Sequence, residues 1–358
     1  MLLNCRPRAA PSSIFTLGEP DQDTPDAIIE AGVAALRSGD THYTGSAGKL
    51  DLRKAICEKL AGDNAVTYTP DEIVVTSGVK QIIFEAFAAT LQPGDEVIIP
   101  VPYWVSYPDI VRLNGATPIV IECLAESEVI LTPEALEAAI TPKTRWLIIN
   151  SPSNPSGAVL SEAQWKGLLD VLARHPHVAV MTDEIYEKIV FDGVQNKTPV
   201  AVASDMKDRC LIVNGMSKAY AMTGWRIVYA AGPAPLIKAI VKLIRQSTTC
   251  TSAFVQIAAA AALRGDQEPV AKMVEIYRER RDLIVSLLND IDGVNCSMPG
   301  GAFYIFPDIR QVLGRKGPNG AISSDLELVN YLLDEAGVAV MDGTSYGMPG
   351  FLRLSFAT

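Results

Sequence analysis

The chain has 358 residues, 48% hydrophobic and 20% charged, a composition typical of a globular protein with a sizeable core. Its formal net charge of −10 and pI near 4.9 argue against nucleic acid or an anionic membrane as the main partner. The six cysteines are too widely spaced for a C-x-x-C pair or a metal-binding cluster, which predicts a reducing, cytoplasmic location and no metal site.

No membrane segment is predicted. Residues 1–8 lack the apolar core of a secretory signal peptide. The most apolar helical stretch, residues 254–263, is roughly half the length of a membrane-spanning helix. We therefore expect no association with a membrane.

The first 60 residues are predicted to form an arm and two helices. The arm, residues 1–15, is expected to be irregular. Apolar residues at helical spacing predict helices at residues 26–37 and 51–60. The loop between them, residues 41–48, is polar but contains an aromatic residue, Tyr43.

Seven short apolar runs follow, with helices between them. Runs this continuous predict strands covered on both faces, and hence a mostly parallel α/β sheet. An amphipathic helix is predicted at residues 81–91 and ends just before Pro93 and Gly94. The predicted strands are residues 73–76, 96–99, 118–122, 146–150, 178–183, 211–214 and 226–231.

The last 90 residues have a different pattern. A long charged helix at residues 269–289 is predicted to connect two parts of the protein. Short strands at residues 302–307, 338–341 and 352–356 alternate with a helix at residues 324–335, which indicates a smaller α+β domain. The predicted divisions are an arm that joins the small domain (residues 1–25), a large domain (26–268), and a connector helix with the small domain (269–358).

One lysine follows the predicted strand at residues 211–214. Lys218 is flanked by Ser217 and Ala219, lies between apolar runs and is followed eight residues later by Arg226. This setting favours a buried amine, which can form a Schiff base if its pKa is lowered. The alternative interpretation is a loop lysine with an ordinary salt bridge.

Polar residues also follow other predicted strands. Ser77 and Gly78 lie between a strand and a helix, where backbone N–H groups and the helix dipole favour an anion, although an ordinary turn has the same residues. Asn154 and Asp183 lie past the carboxyl ends of strands, where open α/β sheets bind ligands. Turn chemistry explains Asn154 equally well, and Asp183 could be a helix cap or salt-bridge partner.

Three further features have two interpretations each. Trp104 could stack on a flat ligand or pack in the core. Arg353 alternates with apolar neighbours and could be a carboxylate fork or an exposed strand arginine. Residues 343–347 match the nucleophile-elbow pattern G-x-S-x-G, but residues 348–350 are a poor helix start and every histidine precedes Ser345. The hydrolase interpretation is therefore rejected.

The motifs gain specificity from their order along the chain. They are Gly18-Glu19-Pro20-Asp21, Tyr43, Ser77-Gly78, Pro102-Tyr103-Trp104, Asn154-Pro155-Ser156-Gly157, Asp183-Glu184-Ile185-Tyr186, Ser217-Lys218, Gly224-Trp225-Arg226 and Arg353-Leu354-Ser355. In this order they resemble the class I aminotransferases, and among them the bacterial aspartate aminotransferases. The resemblance extends from about residue 16 to residue 358 and implies an α/β protein of the fold type I class of pyridoxal-phosphate-dependent transferases.

This resemblance implies pyridoxal 5′-phosphate as the cofactor, bound covalently to Lys218. It implies that Asp183 pairs with the pyridine nitrogen, that Tyr186 and Asn154 bond the phenolic oxygen, and that Trp104 stacks on the ring. It also implies a homodimer, because one phosphate ligand comes from a second subunit. The residues implied to hold the phosphate are Ser77, Gly78, Val79, Ser217, Arg226 and the second subunit's Tyr43.

The implied reaction is transamination between an L-amino acid, aspartate or glutamate, and a 2-oxo acid such as 2-oxoglutarate or oxaloacetate, with ping-pong kinetics. Arg353 would bind the α-carboxylate as a bidentate pair, and Lys218 would move the α-proton. Lys80 would bind the distal carboxylate, unless it is a solvated lysine. A threonine at position 44, beside Tyr43, resembles the sequence of family members that also accept prephenate. The residues implied to help Arg353 are Gly18, Trp104 and Asn154.

Three other functions and one departure remain open. The chain could be a transaminase for alanine or aromatic amino acids, a carbon–sulfur lyase on the same fold, or a cofactor-binding module without turnover. The complete set of catalytic residues argues against the module. The family usually has longer ends than this sequence, and we expect the shorter ends to affect stability, dimerisation and activity.

Overall fold

A computed structural model describes residues 13–123, 129–317 and 320–358. Strands and helices alternate through most of the chain. The strands are β1 (Ser13–Ile14), β2 (Ile73–Thr76), β3 (Glu96–Val101), β4 (Thr117–Glu122), β5 (Thr144–Asn150), β6 (Ala179–Asp183), β7 (Cys210–Gly215), β8 (Val228–Ala231), β9 (Tyr304–Ile305), β10 (Lys316–Gly317), β11 (Gly320–Ala321), β12 (Val338–Ala339), β13 (Met341–Asp342) and β14 (Leu352–Ser355). The helices are α1 (Asp26–Arg37), α2 (Leu50–Asn64), α3 (Val79–Thr90), α4 (Ser106–Leu113), α5 (Pro133–Ala139), α6 (Glu162–Arg174), α7 (Pro199–Val202), α8 (Ala234–Ser247), α9 (Ala253–Arg264), α10 (Glu268–Asn289) and α11 (Asp325–Ala336).

A seven-stranded sheet forms the centre, in the order β2-β8-β7-β6-β5-β3-β4. The strands from β7 to β4 pair in parallel, and β8 is antiparallel to both of its neighbours. The predicted mostly parallel α/β sheet is therefore confirmed. Antiparallel β8 was not apparent from the sequence, because a strand buried on both faces has the same apolar pattern in either direction.

Both faces of this sheet are buried. Alternate residues of β7 contribute to two different hydrophobic clusters, Cys210 and Ile212 to one and Leu211 and Val213 to the other. This is what the period of two along a strand requires when helices cover both faces. The continuous apolar runs in the sequence result from this double coverage.

A smaller antiparallel sheet, in the order β13-β14-β9, lies near the end of the chain after α10. The predicted long helix at residues 269–289 is confirmed as α10. In the part of the chain that the structure describes, no helix combines the length and the apolar composition needed to cross a membrane.

Several predicted boundaries were wrong. The helix predicted at residues 51–60 is α2 (Leu50–Asn64), and the strand predicted at residues 302–307 is only β9 (Tyr304–Ile305). The strand predicted at residues 226–231 begins at Val228, because Arg226 has a φ of 56°, in the left-handed region that strands exclude. The strand predicted at residues 338–341 is two strands, since β12 pairs with β1 and β13 pairs with β14. Residues 13–14 form β1 rather than irregular arm; residues 1–12 lie outside the described part of the chain.

Candidate active site

A pocket of about 370 Å³ opens at the carboxyl ends of the parallel strands. Asn150 and Asp183, which end β5 and β6, are paired in register at its floor, and Lys218 follows the end of β7. This is the edge of an open α/β sheet where ligands usually bind. The predicted site residues that line the pocket are Gly18, Gly78, Val79, Lys80, Trp104, Asn154, Asp183, Tyr186, Ser217, Lys218, Arg226 and Arg353.

Three predicted site residues do not line this pocket. Ser77 directly precedes the lining residue Gly78 in the chain, and it donates its backbone N–H to Gln81 Oε1 at 2.9 Å. Thr44 accepts a hydrogen bond from Gln256 Nε2 at 3.1 Å. Tyr43 is 88% exposed, so its side chain is available to another molecule rather than to the pocket of its own chain.

Asp183 is a buried carboxylate at the end of β6. Burial raises its pKa to about 6, although hydrogen bonds from the Tyr107 hydroxyl at 2.7 Å and the Ile185 backbone N–H at 3.3 Å lower it. Most of the cost of a buried anion is therefore not offset in the protein alone. A protonated ring nitrogen in the pocket would supply the missing charge.

We expect the raised pKa of Asp183 to make the stability of the cofactor-free protein depend on pH. A pKa raised in the folded state means that the stabilising, protonated form of Asp183 is present at acidic pH and lost as the pH rises through about 6. Between pH 5 and 7 this group should remove about 1–2 kcal/mol from the free energy of unfolding. The charge-free variant Asp183→Asn should not show this loss.

Urea unfolding of both cofactor-free proteins at pH 5, 6 and 7 measures the effect. Burial also raises the pKa of the neighbouring Glu184, to about 8, so only the difference between variant and wild type isolates Asp183. The difference should grow in favour of Asp183→Asn as the pH rises. Parallel curves would show that the carboxylate is not strained in the protein alone.

Lys218 is a largely buried amine, and its Nζ donates a hydrogen bond to the Gly18 carbonyl oxygen. Burial lowers its pKa to about 8; Glu19 opposes this shift, and the nearby guanidinium groups of Arg226 and Arg353 add to it. A sizeable fraction of the amine is therefore neutral at mildly alkaline pH. Neutral lysine is both a nucleophile and a proton acceptor.

An anion cradle lies where α3 begins. Gly78 precedes the helix with a φ of 144°, and a Cβ atom at this position would overlap Arg226 Nη2. Glycine therefore allows the guanidinium of Arg226 to lie directly against the amino terminus of α3. Helix N–H groups and a guanidinium together form a site suited to a phosphate.

Arg353 is a buried cation, 7% exposed, that forms no ion pair with any described residue. Its Nη2 donates to the Thr16 carbonyl oxygen at 2.7 Å and its Nη1 to Asn154 Oδ1 at 3.4 Å, while its Nε has no partner. Its guanidinium lies 4.8 Å from the Tyr304 ring centroid and 5.2 Å from that of Tyr346. A bound anion would neutralise this buried charge, and a carboxylate has the geometry to accept two hydrogen bonds from the guanidinium.

Lys80 and Trp104 form another side of the pocket. Lys80 Nζ lies 5.1 Å from the Trp104 ring centroid, and Trp104 meets Tyr107 edge to face at 5.4 Å. The lysine thus adds a positive charge to the pocket in addition to those of Arg226 and Arg353. A ligand with two carboxylates could be bound at both ends.

The sequence interpretation missed six residues that line the pocket: Thr16, Tyr107, Asn150, Ile185, Thr223 and Tyr304. Tyr107 bonds Asp183, and the Tyr304 hydroxyl lies 2.9 Å from that of Tyr186. Tyr304 occurs within an apolar stretch and therefore resembles a core residue, and Tyr107 lies in a helix turn without a recognised motif. The available signal was that a buried tyrosine needs a polar partner.

Residues 343–347, the rejected nucleophile elbow, form a short turn. Ser345 donates its backbone N–H and its hydroxyl to the Asp342 carboxylate, at 2.7 and 3.0 Å. The serine is thus a turn residue bonded to its own strand end, in agreement with the rejection.

The donor set of the pocket fits pyridoxal 5′-phosphate. A low-pKa amine, an unbalanced buried carboxylate, an aromatic wall and an anion cradle converge on one space. These are the groups needed for an aldehyde, a pyridinium nitrogen, a flat ring and a phosphate.

Comparison with known proteins agrees with this geometry. A family model described as "Aminotransferase class I and II" matches residues 14–358. An aspartate aminotransferase of Rhizobium meliloti (strain 1021) is 50% identical over 97% of this chain and 85% of its own length. An aspartate/prephenate aminotransferase of Cereibacter sphaeroides is 49% identical over 95% of this chain and 86% of its own length.

The fold agrees as well. A crystal structure of an aspartate aminotransferase from Rhizobium meliloti superposes with a TM-score of 0.95 at 50% identity, covering 97% of this chain and 87% of that one. The resemblance inferred from the motifs and the fold type I class are confirmed. The chain thus belongs to the class I and II aminotransferases, a family of pyridoxal-phosphate-dependent enzymes.

Proposed function

We propose that this aminotransferase moves the amino group between a dicarboxylic L-amino acid, aspartate or glutamate, and a 2-oxo acid such as 2-oxoglutarate or oxaloacetate. The observation that carries the proposal is Arg353, a buried guanidinium without an anionic partner among the described residues, in the same pocket as the Lys218 amine. Lys80 supplies a second cation. The names of the relatives support this substrate class.

The predicted site residues have the following roles in this proposal. Lys218 holds the cofactor covalently, Asp183 pairs with its ring nitrogen, and Tyr186 and Asn154 bond its phenolic oxygen, with Trp104 against the ring. The bound cofactor withdraws electrons from the α-carbon of the amino acid. The residues proposed for the phosphate are Ser77, Gly78, Val79, Ser217 and Arg226, with Tyr43 from a second subunit.

The protein's own part is to orient the amino acid and to move one proton. Arg353 fixes the α-carboxylate through two parallel hydrogen bonds, with Asn154, Trp104 and the Gly18 carbonyl region around it. Once the amino group of the substrate has displaced Lys218 from the cofactor, the freed Lys218 Nζ would take the proton from the α-carbon. Its pKa of about 8 suits this step, because an amine titrating near the working pH both accepts and returns a proton.

Prephenate is the second candidate substrate, and relatives named aspartate/prephenate aminotransferases favour it. Prephenate also carries two carboxylates, so Arg353 and Lys80 would both remain in use. Thr44 does not line the pocket of its own chain, and its proposed contribution is therefore to the site of a second subunit, beside Tyr43.

Replacing Lys80 by alanine should show whether Lys80 binds the distal carboxylate of the substrate. We expect kcat/KM for aspartate to fall about 10–100-fold, because a charge-assisted contact with the distal carboxylate is lost, and that for alanine to change less than about threefold. Steady-state kinetics with both amino acids measures the difference. Lys207→Ala is a matched control, since Lys207 also lies over an aromatic ring, that of Tyr68, outside the pocket. Equal losses for aspartate and alanine would refute the assignment.

The assembly and location are also proposed. We propose a homodimer with shared sites, supported by the 88% exposure of Tyr43 on a polar loop. We propose a large domain of residues 26–268 and a small one of residues 1–25 and 269–358, supported by the two separate sheets. A cytoplasmic location is supported by the free thiols of the cysteines in the described residues.

An absorbance spectrum tests the core of the proposal. The purified protein with pyridoxal 5′-phosphate should show a pH-dependent visible band that disappears on addition of aspartate and returns with 2-oxoglutarate. A band that aspartate leaves unchanged would indicate a cofactor-binding module. Bleaching by alanine or an aromatic amino acid, but not by aspartate, would indicate another specificity.

A further inference from the structure

Tyr304 lies where three parts of the pocket meet. It is the first residue of β9, pairs in register with Ser355 of β14, and is 1% exposed. Its hydroxyl fills the space that a side chain at position 18 would occupy, since a Cβ atom on Gly18 would lie 2.6 Å from it. The hydroxyl thus lies close to Gly18, and the side chain lines the pocket.

The positively charged guanidinium of Arg353 lies over the ring of Tyr304. The guanidinium carbon lies 4.8 Å from the ring centroid, within the range of a cation–π contact. This contact pulls electron density away from the phenol oxygen. Accordingly, burial raises the pKa of Tyr304, and Arg353 is the main group that opposes the rise.

Its hydroxyl forms a pair with that of Tyr186 at 2.9 Å. Only one of the two can donate in this contact. Burial raises the pKa of Tyr186 well above its usual value, Tyr304 and Asp183 raise it further, and Arg353 lowers it by a smaller amount. The charged groups that act on the pair are Asp183, on Tyr186, and Arg353, on both. Because the Arg353 guanidinium lies over the ring of Tyr304, while the Asp183 carboxylate acts on Tyr186, Tyr304 is the better donor of the two.

We propose that Tyr304 is a positioning residue that donates its hydroxyl proton to Tyr186 and so links the substrate's carboxylate site, Arg353, to the hydroxyl that faces the cofactor. Tyr186 then keeps its own proton for a hydrogen bond into the pocket. Donation by Tyr304 also strengthens that bond, because a hydroxyl that accepts a hydrogen bond becomes a better donor. The inference rests on the proposed role of Tyr186 at the cofactor's phenolic oxygen.

The test measures the pH midpoint of the visible absorbance change of the holoenzyme. A hydrogen bond from Tyr186 to the phenolic oxygen stabilises the deprotonated form of the bound cofactor, so a weaker bond raises the midpoint. We expect Tyr304→Phe, which keeps the ring under Arg353, to raise it by about 0.5 pH unit. We expect Tyr186→Phe to raise it further, and the double variant to match Tyr186→Phe alone.

Two controls separate this coupling from a general loss of structure. Tyr346→Phe changes another buried tyrosine that faces Arg353 at 5.2 Å but lies outside the hydroxyl pair, and should leave the midpoint unchanged. The dissociation constant of succinate, a dicarboxylate without an amino group, should change less than about threefold in Tyr304→Phe, because the cation–π contact remains.

A midpoint of Tyr304→Phe equal to wild type, or additive shifts in the double variant, would overturn the proposal. If Tyr304→Phe does not fold, the cycle of Arg353→Met with Tyr186→Phe tests the same link, and additive midpoint shifts there would overturn it too. Failure of the proposed function has a different result, since the wild-type protein would then lack the pH-dependent band or its response to aspartate.

Discussion

Replacement of Lys218 by alanine is expected to slow amino transfer from aspartate by at least about 10⁴-fold, because one group supplies both the covalent attachment and the proton transfer. The amine is prepared for both tasks by burial, which lowers its pKa to about 8. Rapid mixing of the holoenzyme with aspartate, followed by the loss of the visible band, measures this half-reaction directly.

Lys218→Arg is the matched control. A guanidinium retains the positive charge but does not lose its proton at accessible pH, and it forms no Schiff base under these conditions. We therefore expect it to be as inactive as the alanine variant. If Lys218→Arg retained more than about 1% of the wild-type rate, the role of Lys218 would be electrostatic and the proton would be moved by another group.

The sequence predicted the centre of this site better than its walls. Lys218, Asp183 and Arg353 each have a charge that is costly to bury, so their positions between apolar runs are informative in combination. The strand ends that present them were also recognisable, because strands buried on both faces are continuous apolar runs. The family's fold could therefore be predicted from the order of weak motifs.

The other residues that line the pocket could not be predicted, because their positions depend on tertiary contacts that residue spacing in the sequence does not show. Tyr304 lies in an apolar run, and only the pairing of β9 with β14 brings it to Arg353. Tyr107 reaches Asp183 from α4; helices were predicted between the strands, but no sequence pattern indicated which side chain of this helix would contact the carboxylate. The left-handed residue Arg226 shortened β8, since a single residue with positive φ leaves no trace in hydrophobic periodicity. Long-range pairing and local backbone geometry decide these features.

Replacement of Arg353 by methionine should separate function from stability. We expect kcat/KM for aspartate to fall about 10³-fold, because two charge-assisted hydrogen bonds to the α-carboxylate are lost. Methionine has a similar length and no charge, so the pocket wall remains. Steady-state kinetics with aspartate and 2-oxoglutarate measures the loss, and excess aspartate should restore little of the rate if orientation as well as affinity is lost.

The same variant should not destabilise the cofactor-free protein. Arg353 forms no ion pair with the described residues, so its removal breaks no such pair and relieves a buried, unbalanced charge. We expect the free energy of unfolding to stay the same or rise by about 1 kcal/mol.

Arg281 provides the contrast: it is equally buried, at 2% exposure, but pairs with Asp192 and Asp282. Arg281→Met should therefore cost about 1–3 kcal/mol of stability and leave kcat/KM nearly unchanged. If urea unfolding showed similar losses for both variants, Arg353 would be a structural cation, and the buried guanidinium would no longer identify a substrate site.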